Sequence, residues 1–244
     1  SSGYILMTTA IQFSGGKDSL VCLHLYRDDP DAVVIFADSG SVVPHVREFV
    51  ESTVAALGMR LHIASPAIPC EEWQDANGLP ADILPTNATP FMRPMITEGQ
   101  SEATLVPYFA CCNANIWQPM LRAIKDVGAD TVVRGSKACD SRVGAPDGYV
   151  DDGVTFLSPI WDWSDDDVFA YLKKVGASLP PQYAMPGADS LDCWCCTAYM
   201  DYAGIQRFEY LKEHYPGLYA KAKARLNVVS RTVRAAIANT SFDV

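Results

Sequence analysis

The stretch TTAIQFSGGKDSLVCLHLY, residues 8–26, decides the fold of this chain. Thr8 to Phe13 are β-prone, and Leu20 to Tyr26 are apolar with helical character. Between them the hexapeptide SGGKDS places two glycines and a lysine where a strand turns into a helix. Free backbone N–H groups and the helix dipole favour an anion at such a turn. The sequence therefore predicts a phosphate site formed by Ser14, Gly15, Gly16, Lys17, Asp18 and Ser19.

The hexapeptide does not match GxxxxGK[ST], so the usual P-loop NTPase motif is excluded. Taken alone, SGGKDS is also compatible with a surface turn. Its position after an apolar strand and before an apolar helix favours phosphate binding, and its two glycines let the backbone approach a phosphate closely.

Apolar strands and helical segments alternate along the chain. This alternation predicts an α/β fold, with a doubly wound, mostly parallel sheet, helices on both faces and a helical C-terminal segment. The further strands are predicted at Val33–Ala37, Arg60–Ala64, Thr131–Val133 and Phe156–Ile160, and the further helices end at Leu57, run from Cys112 to Val127 and begin after the N-cap Ser164.

The chain is predicted to form one nucleotide-binding domain over residues 8–200 and a helical extension over residues 201–244. Within the domain, residues 66–110 are rich in proline and are predicted to be an irregular insertion or lid. Irregular segments of that length in a compact domain usually serve function.

Three polar sets follow the predicted strands. In a doubly wound sheet the carboxyl ends of neighbouring strands line one crevice, so these sets are expected to join the glycine loop in a nucleotide pocket. Lysine and arginine there can neutralise phosphates, and an aspartate can meet a ribose hydroxyl or hold Mg2+, although an aspartate at a strand end often only caps a turn. The predicted residues are Asp38, Ser39 and Gly40; Arg134, Gly135 and Lys137; and Arg142, which follows Asp140.

The composition is that of a globular protein, with 49% apolar and 20% charged residues in 244. No apolar run has the length to cross a bilayer, so no membrane partner is expected. A net charge of −10 argues against bulk electrostatic binding to nucleic acid. A local basic excess over residues 204–244 indicates a solvated helical face or, alternatively, a polyanion contact. Without a signal-peptide pattern, the eight cysteines suggest metal or redox use in a reducing cytoplasm.

The cysteines fall in two clusters, Cys111-Cys112 and Cys193-Trp194-Cys195-Cys196, with 80 residues between Cys112 and Cys193. Two close thiol pairs suit a [4Fe–4S] cluster. Structural zinc is the main alternative, although its cysteine pairs are usually spaced by at least two residues. Ordinary buried thiols are the third, and Cys195 can substitute for a neighbour as a ligand.

The layout from Thr8 to Thr197 resembles the PAPS reductase family, and SGGKDS resembles the PP-loop of ATP pyrophosphatases. In the APS-reducing branch of that family a CC-x80-CxxC set ligates a [4Fe–4S] cluster beside the nucleotide site. The resemblance implies the ligands Cys111, Cys112, Cys193 and Cys196. It also implies an adenine nucleotide, either ATP or APS/PAPS, as the bound molecule.

The chain departs from the reductases at three points. They carry a catalytic cysteine in a C-terminal tail, whereas no cysteine follows Cys196 here. Those with the cluster have basic residues shortly after the first cysteine pair, where this chain has Asn115 and Ile116. Their PP-loops are degenerate, whereas the intact Lys17-Asp18-Ser19 resembles members that cleave ATP between its α- and β-phosphates.

The leading hypothesis is therefore an ATP-using enzyme of sulfur metabolism with a [4Fe–4S] cluster, in which Lys17, Asp18, Lys137 and Arg142 are catalytic and Mg2+ bridges the phosphates. A sulfonucleotide reductase with an internal nucleophile, Cys139 or Cys195, is the second. A non-catalytic nucleotide or redox module of a modification complex is the third. The expected partners are an electron donor, a nucleic-acid or small-molecule acceptor and a second copy of the chain.

Overall fold

A computed structural model describes residues 8–83, 104–140, 147–185, 189–191, 193–200 and 202–238. The chain forms two compact units. The first comprises residues 1–38, 44–65 and 118–190, and the second comprises residues 39–43, 66–117 and 191–244.

The first unit contains a six-stranded sheet. Its strands, numbered in chain order, are β1 (Thr9–Gln12), β2 (Val33–Ala37), β3 (Arg60–Ala64), β6 (Thr131–Val133), β7 (Tyr149–Asp151) and β8 (Val154–Leu157); the two strands numbered between β3 and β6 belong to the second unit. The order in the sheet is β3-β2-β1-β6-β8-β7, and all neighbours are parallel except β7 and β8, which form an antiparallel pair. The buried strands are short and rich in β-branched residues, as is typical of a parallel sheet.

The strand order places a switch point between β1 and β6. The chain moves from β1 outward to β3 and then returns past β1 to β6, so right-handed connections put the linking helices on opposite faces of the sheet. This confirms the predicted doubly wound, mostly parallel α/β fold. The helices of this unit are α1 (Lys17–Leu25), α2 (Pro44–Ala56), α5 (Gln118–Asp126) and α6 (Asp165–Val175).

An apolar cluster holds α5 against the sheet. Ala10, Ile35 and Val132 come from three adjacent strands and pack with Ala123 and Ile124 of α5. All five are at most 3% exposed. Burial of this kind contributes about 25 cal/mol per Å² of apolar surface, and it fixes the carboxyl ends of β1 and β6 side by side.

Helix α6 begins with a capping box. The hydroxyl of Ser164 accepts the backbone N–H of Asp167, and the Asp167 carboxylate accepts the backbone N–H of Ser164 at 2.9 Å. This confirms the predicted N-cap, which commonly contributes about 1 kcal/mol. The box makes Asp165 the first helical residue.

The second unit is built around a two-stranded parallel sheet, in which β4 pairs with β5. Leu79 of β4 and Leu105 of β5 pack with Val229 of the long C-terminal helix. This long helix and the helix before it make up the C-terminal segment, which was predicted to be helical. The elements are α3 (Cys70–Asn77), β4 (Leu79–Ala81), β5 (Leu105–Pro107), α4 (Tyr108–Cys112), a π-helical turn (Asn113–Trp117), α7 (Tyr202–His214) and α8 (Pro216–Ala238).

Several boundaries differ from the sequence expectation. The strand predicted at 156–160 is β8, at Val154–Leu157, because it continues a hairpin from β7 through Asp152 and Gly153, both at positive φ. The helix predicted from Cys112 to Val127 begins earlier and contains the π-helical turn. The segment 66–110, predicted to be irregular, contains α3, β4 and β5 among its described residues.

Candidate functional site

The loop after β1 is held by its own side chains. The Ser19 hydroxyl donates to the Gly16 carbonyl at 3.0 Å and accepts the backbone N–H of Ser14 at 3.2 Å. Gly15 has φ +83°, and a Cβ there would lie 3.0 Å from Cγ1 of Val46. Glycine is therefore required at this position, and the two serines fix the shape of the loop.

The loop leads directly into the N-terminus of α1. Gly16 is the N-cap in an extended conformation, and the backbone N–H of Lys17 donates to the hydroxyl of Tyr183 at 3.0 Å. Burial raises the pKa of Tyr183, so this hydroxyl is neutral at physiological pH. The positive end of the helix dipole and the loop amides favour an anion here.

Two buried lysines share the carboxylate of Asp18. Lys17 Nζ lies 2.9 Å from its Oδ2, and Lys137 Nζ lies 2.8 Å from its Oδ1. Both ammonium groups also contact Oδ1 of Asp165, at 3.2 and 2.5 Å. The lysines are 4% and 1% exposed. The structure thus brings Lys17, Asp18 and Lys137 together, as predicted from the position of Lys137 after a neighbouring parallel strand.

The carboxylates keep both lysines charged. Burial lowers the pKa of Lys137, but hydrogen bonds to Asp165, Asp18 and Asp140 outweigh it, and the pKa is raised above its ordinary value. The pKa of Lys17 is also raised, because the carboxylates of Asp18 and Asp189 outweigh burial. Deprotonation of either lysine is excluded over the physiological pH range.

The cluster carries more negative than positive charge. Besides Asp18 and Asp165, the carboxylate of Asp140 lies 3.0 Å from Lys137 Nζ, and that of Asp189 lies 3.8 Å from Lys17 Nζ. Four carboxylates therefore surround two ammonium groups. The three carboxylates other than Asp18 have side chains more than half exposed, so they are accessible to a cation from solvent.

The loop after β6 packs against the start of α1. A Cβ on Gly135 would lie 2.6 Å from the backbone N of Ser19 and 2.7 Å from the carbonyl C of Asp18. Beside it, the Arg134 guanidinium lies over the rings of Tyr149 and Phe156, at 5.1 and 5.4 Å from their centres. Gly135 therefore serves as a contact surface for the lysine-bearing helix.

We expect Gly135→Ala to destabilise the chain and to weaken nucleotide binding. The added methyl group meets backbone atoms, which cannot rotate away, so α1 must shift at roughly 2 kcal/mol, the range typical of overpacking. Gly217→Ala is the control, because nothing lies within 4 Å of a Cβ there. Thermal unfolding of both variants measures the effect, and equal midpoints would contradict the close contact.

Asp38 follows β2 and is 4% exposed. Its Oδ2 accepts a hydrogen bond from Arg47 Nη1 of α2, and Arg47 Nε also donates to Glu51 at 2.9 Å. Asp38 is thus already held by a cation of its own unit. Its predicted contact with a ribose hydroxyl or Mg2+ stays a prediction.

Ser39 and Gly40, also predicted to bind nucleotide, belong to the second unit. The Ser39 hydroxyl lies 3.0 Å from the thiol of Cys193, and its carbonyl accepts the backbone N–H of Cys70 at 2.8 Å. Gly40 has φ +72° and packs against Pro69. These residues contact the thiol-bearing segments, and their role in nucleotide binding stays a prediction.

Four thiols of the second unit interact. Cys70 Sγ lies 3.6 Å from Cys111 Sγ. The pKa of Cys70 is raised by its hydrogen bonds with Cys111, Cys193 and Cys195. Two of these cysteines, Cys111 and Cys193, belong to the predicted ligand set; Cys70 does not.

Two side-chain amides direct their N–H groups at the sulfurs of Cys70 and Cys111. Gln74 Nε2 lies 3.5 Å from Cys70 Sγ and 3.6 Å from Cys111 Sγ. Asn115 Nδ2, in the π-helical turn, donates to the Cys111 carbonyl at 2.9 Å and lies 3.7 Å from its sulfur. Hydrogen bonds from Cys70, Gln74 and Asn115 lower the pKa of Cys111. The surroundings of Cys111 therefore favour the thiolate, the form that ligates metals.

The described thiols of the second unit bear on the predicted iron–sulfur ligation. In the described ranges, no three His, Cys, Asp or Glu side chains are arranged to hold a single metal ion. Cys112 is half-buried, and Cys196 Sγ lies 3.5 Å from the Ala198 carbonyl. The chemistry of the donors, thiols with amide N–H groups directed at them, fits an iron–sulfur cluster, which takes cysteine thiolates and is tuned by such hydrogen bonds.

Several residues of these sites carry little signal in the sequence. Asp165 has only the pattern of an acid at the start of a helix, and Tyr183, Asp189, Cys70 and Gln74 have no motif or spacing that marks them. Each depends on a contact between residues distant in the chain. The predicted catalytic residue Arg142 lies outside the described residues.

A mostly parallel sheet with a glycine loop and a lysine at its switch point defines the class, a doubly wound α/β protein. The family model of the phosphoadenosine phosphosulfate reductase domain matches residues 8–199. The chain therefore belongs to the phosphoadenosine phosphosulfate reductase domain family, as the sequence resemblance predicted.

Relatives and a solved structure agree with this assignment. Two curated relatives, the phosphoadenosine 5'-phosphosulfate reductases of Yersinia enterocolitica and Cronobacter sakazakii, are each 30% identical over 69% of this chain and 62% of their own length. The chain thus spans less than two thirds of either relative. A Candida auris phosphoadenylyl-sulfate reductase, solved as a phosphate complex, has the same fold, with a TM-score of 0.55, 19% identity and coverage of 77% and 81% of the two chains.

Within the described part of the chain, no helix is both long enough and apolar enough to cross a bilayer.

Proposed function

We propose that this chain is an adenine-nucleotide enzyme of sulfur metabolism that binds ATP with Mg2+ at the loop 14–19. The observation that carries the proposal is the excess of carboxylates around Lys17 and Lys137. A nucleotide polyphosphate brings several negative charges to this place. Because four carboxylates already surround two lysines, a divalent cation is needed to bring the phosphates in.

The residues of this site have two proposed roles, binding of the phosphates and stabilisation of the charge that develops in the reaction. The loop amides and Lys17 hold the phosphates, and Lys137 stabilises charge that develops as the bond between the α- and β-phosphates breaks. An acceptor oxygen bonds to the α-phosphorus, and pyrophosphate leaves with the electron pair of the broken bond. Asp18 and Asp165 orient both lysines. The exposed carboxylates of Asp140, Asp165 and Asp189 offer oxygen ligands to Mg2+. Arg142 is proposed as a further cation for the phosphates.

A [4Fe–4S] cluster is proposed as the resident cofactor, ligated by Cys111, Cys112, Cys193 and Cys196. The proposal is supported by the cysteine spacing and by the hydrogen-bond donors directed at Cys111. Such a cluster supplies electrons or sulfur to an activated acceptor. An electron donor and a nucleic-acid or small-molecule acceptor follow as proposed partners.

Calorimetry on anaerobically purified protein of known iron content tests the nucleotide. We expect ATP with Mg2+ to bind at least about tenfold more tightly than ATP with a chelator, a difference of about 1.4 kcal/mol. ATP with Mg2+ should also bind more tightly than APS or PAPS. Binding of ATP that is indifferent to Mg2+ would contradict the role given to the carboxylates.

A sulfonucleotide reductase is the second candidate, and two observations favour it. The relatives are reductases by name, and Cys139 carries an exposed thiol two residues from Lys137, 3.6 Å from an Asp140 oxygen. Cys195, the other internal thiol, is fully buried. A preference for APS or PAPS in the same titrations, with sulfite released in the presence of a thiol donor, would establish this candidate in place of the first.

A further inference from the structure

The C-terminal helix α8 reaches the thiol-bearing unit with two cations one turn apart. Lys221 Nζ lies 5.4 Å from the ring centre of Trp194, which is flanked by Cys193 and Cys195. Arg225 reaches α3. Helix α8 lies beyond residues 8–199, the part of the chain that the family model matches, so these contacts belong to the extension of this chain.

The Arg225 guanidinium makes three hydrogen bonds with α3, and its Nη2 also lies 3.7 Å from Oε1 of Glu71. Nη1 donates to Gln74 Oε1 at 3.1 Å, while Nη2 lies 2.5 Å from Asp75 Oδ1 and 3.3 Å from the Glu71 carbonyl. Its side chain is only 12% exposed. A planar guanidinium can serve several acceptors in fixed directions, whereas a lysine ammonium cannot reproduce this fork.

These contacts determine which way the Gln74 amide points. The side chain is buried, at 2% exposure. A guanidinium only donates, so the amide atom facing Arg225 must be the oxygen. The amide nitrogen therefore faces the sulfurs of Cys70 and Cys111, at 3.5 and 3.6 Å. Arg225 fixes the direction of the N–H groups without touching a thiol itself.

We propose that Arg225 is a positioning residue, which holds the Gln74 amide as an N–H···S donor to Cys111 and so raises the reduction potential of the iron–sulfur cluster. The inference rests on the proposed cluster with Cys111 as a ligand. N–H···S bonds stabilise the more negative, reduced state, and hydrogen bonds to ligand sulfur are a principal determinant of cluster potential.

The test compares midpoint potentials of four anaerobic proteins whose iron and sulfide contents are measured first. Gln74→Met removes the donor and keeps a side chain of similar length. Arg225→Met removes the donor that faces the Gln74 oxygen and keeps a side chain of similar length, and a double variant combines both changes. Arg225 borders a cavity of about 540 Å³, so the methionine side chain has room. Arg234→Met, at an exposed arginine on the same helix, is the matched control.

We expect Gln74→Met and Arg225→Met to lower the potential, with about a tenfold change in the reduction equilibrium for the first, or about 59 mV for a one-electron couple. The double variant should match Gln74→Met alone, because Arg225 acts through Gln74. The Arg234→Met potential should equal that of the parent.

Two results would overturn the inference while leaving the cluster in place: Arg225→Met with the parent potential, or a double variant whose shift is the sum of the two single shifts. Parent protein that contains no iron and sulfide would instead contradict the proposed cluster and the inference with it. The iron and sulfide analysis therefore distinguishes failure of the proposed function from failure of the proposed orientation of Gln74 by Arg225.

Discussion

Lys17→Ala is expected to lower ATP turnover by about 100- to 1000-fold, the cost of removing one preorganised charge from a transition state. Lys17 is the loop cation, buried at the N-terminus of α1, and the neighbouring Lys137 contacts the same two carboxylates, Asp18 and Asp165. Its loss removes the positive charge nearest the loop amides and leaves a more negative site. Pyrophosphate release from ATP measures the effect.

The control for this variant is Lys125→Ala. Lys125 is an exposed lysine at the end of α5 that pairs with Asp152, and exposed pairs contribute little to stability. The visible spectrum of the cluster should be the same in both variants, since Lys17 belongs to the unit without the clustered thiols. Unchanged ATP consumption in Lys17→Ala would refute the assignment of the loop.

If the proposed cluster is the resident cofactor, Cys111→Ser and Cys193→Ser are each expected to abolish stable iron binding and the broad visible absorption of that cluster. Both thiols belong to the ligand set implied by the family resemblance, and both lie within the group of interacting thiols. A serine hydroxyl is a poor ligand for iron in this role, because cluster ligation depends on thiolate sulfur. Iron and sulfide analysis after anaerobic purification measures the loss.

Cys139→Ser is the control, since that exposed thiol lies in the other unit and should leave iron content unchanged. The remaining ligands are decided by two pairs of variants. Loss of iron in Cys112→Ser and Cys196→Ser supports the spacing-based set. Retention there, with loss in Cys70→Ser and Cys195→Ser, would contradict it and assign the ligands by the observed thiol contacts.

Local sequence signals predicted much of the proposed nucleotide site around the loop 14–19. Strand β1, the loop and α1 follow one another within residues 8–26, so the strand–loop–helix arrangement is encoded by neighbouring residues. The meeting of Lys137 with Asp18 was also predictable, because parallel strands place their carboxyl ends at one edge. Strands β2 and β3 have the predicted bounds. For β2 the signal is distinctive, since VVIFA is a continuous buried apolar run.

The group of interacting thiols and the residues around it were harder to predict. Cys70 lies 41 residues from Cys111 and has no cysteine partner nearby in the chain, so no spacing marks it. Gln74 is a buried amide whose role depends on Arg225, 151 residues further on. Contacts of this kind arise from tertiary packing, which overrides local propensity, and a single sequence carries no trace of them.

The capping box at Ser164 has a consequence for how this chain can diverge. Asp165, the first residue of the helix it caps, contacts both lysines, so the hydroxyl that starts the helix also aims a carboxylate of the site. A substitution at Ser164 would then change both the stability of the helix and the position of a carboxylate in the site. A change that slides the helix start by a single residue would turn Asp165 away while keeping every charged side chain in the sequence.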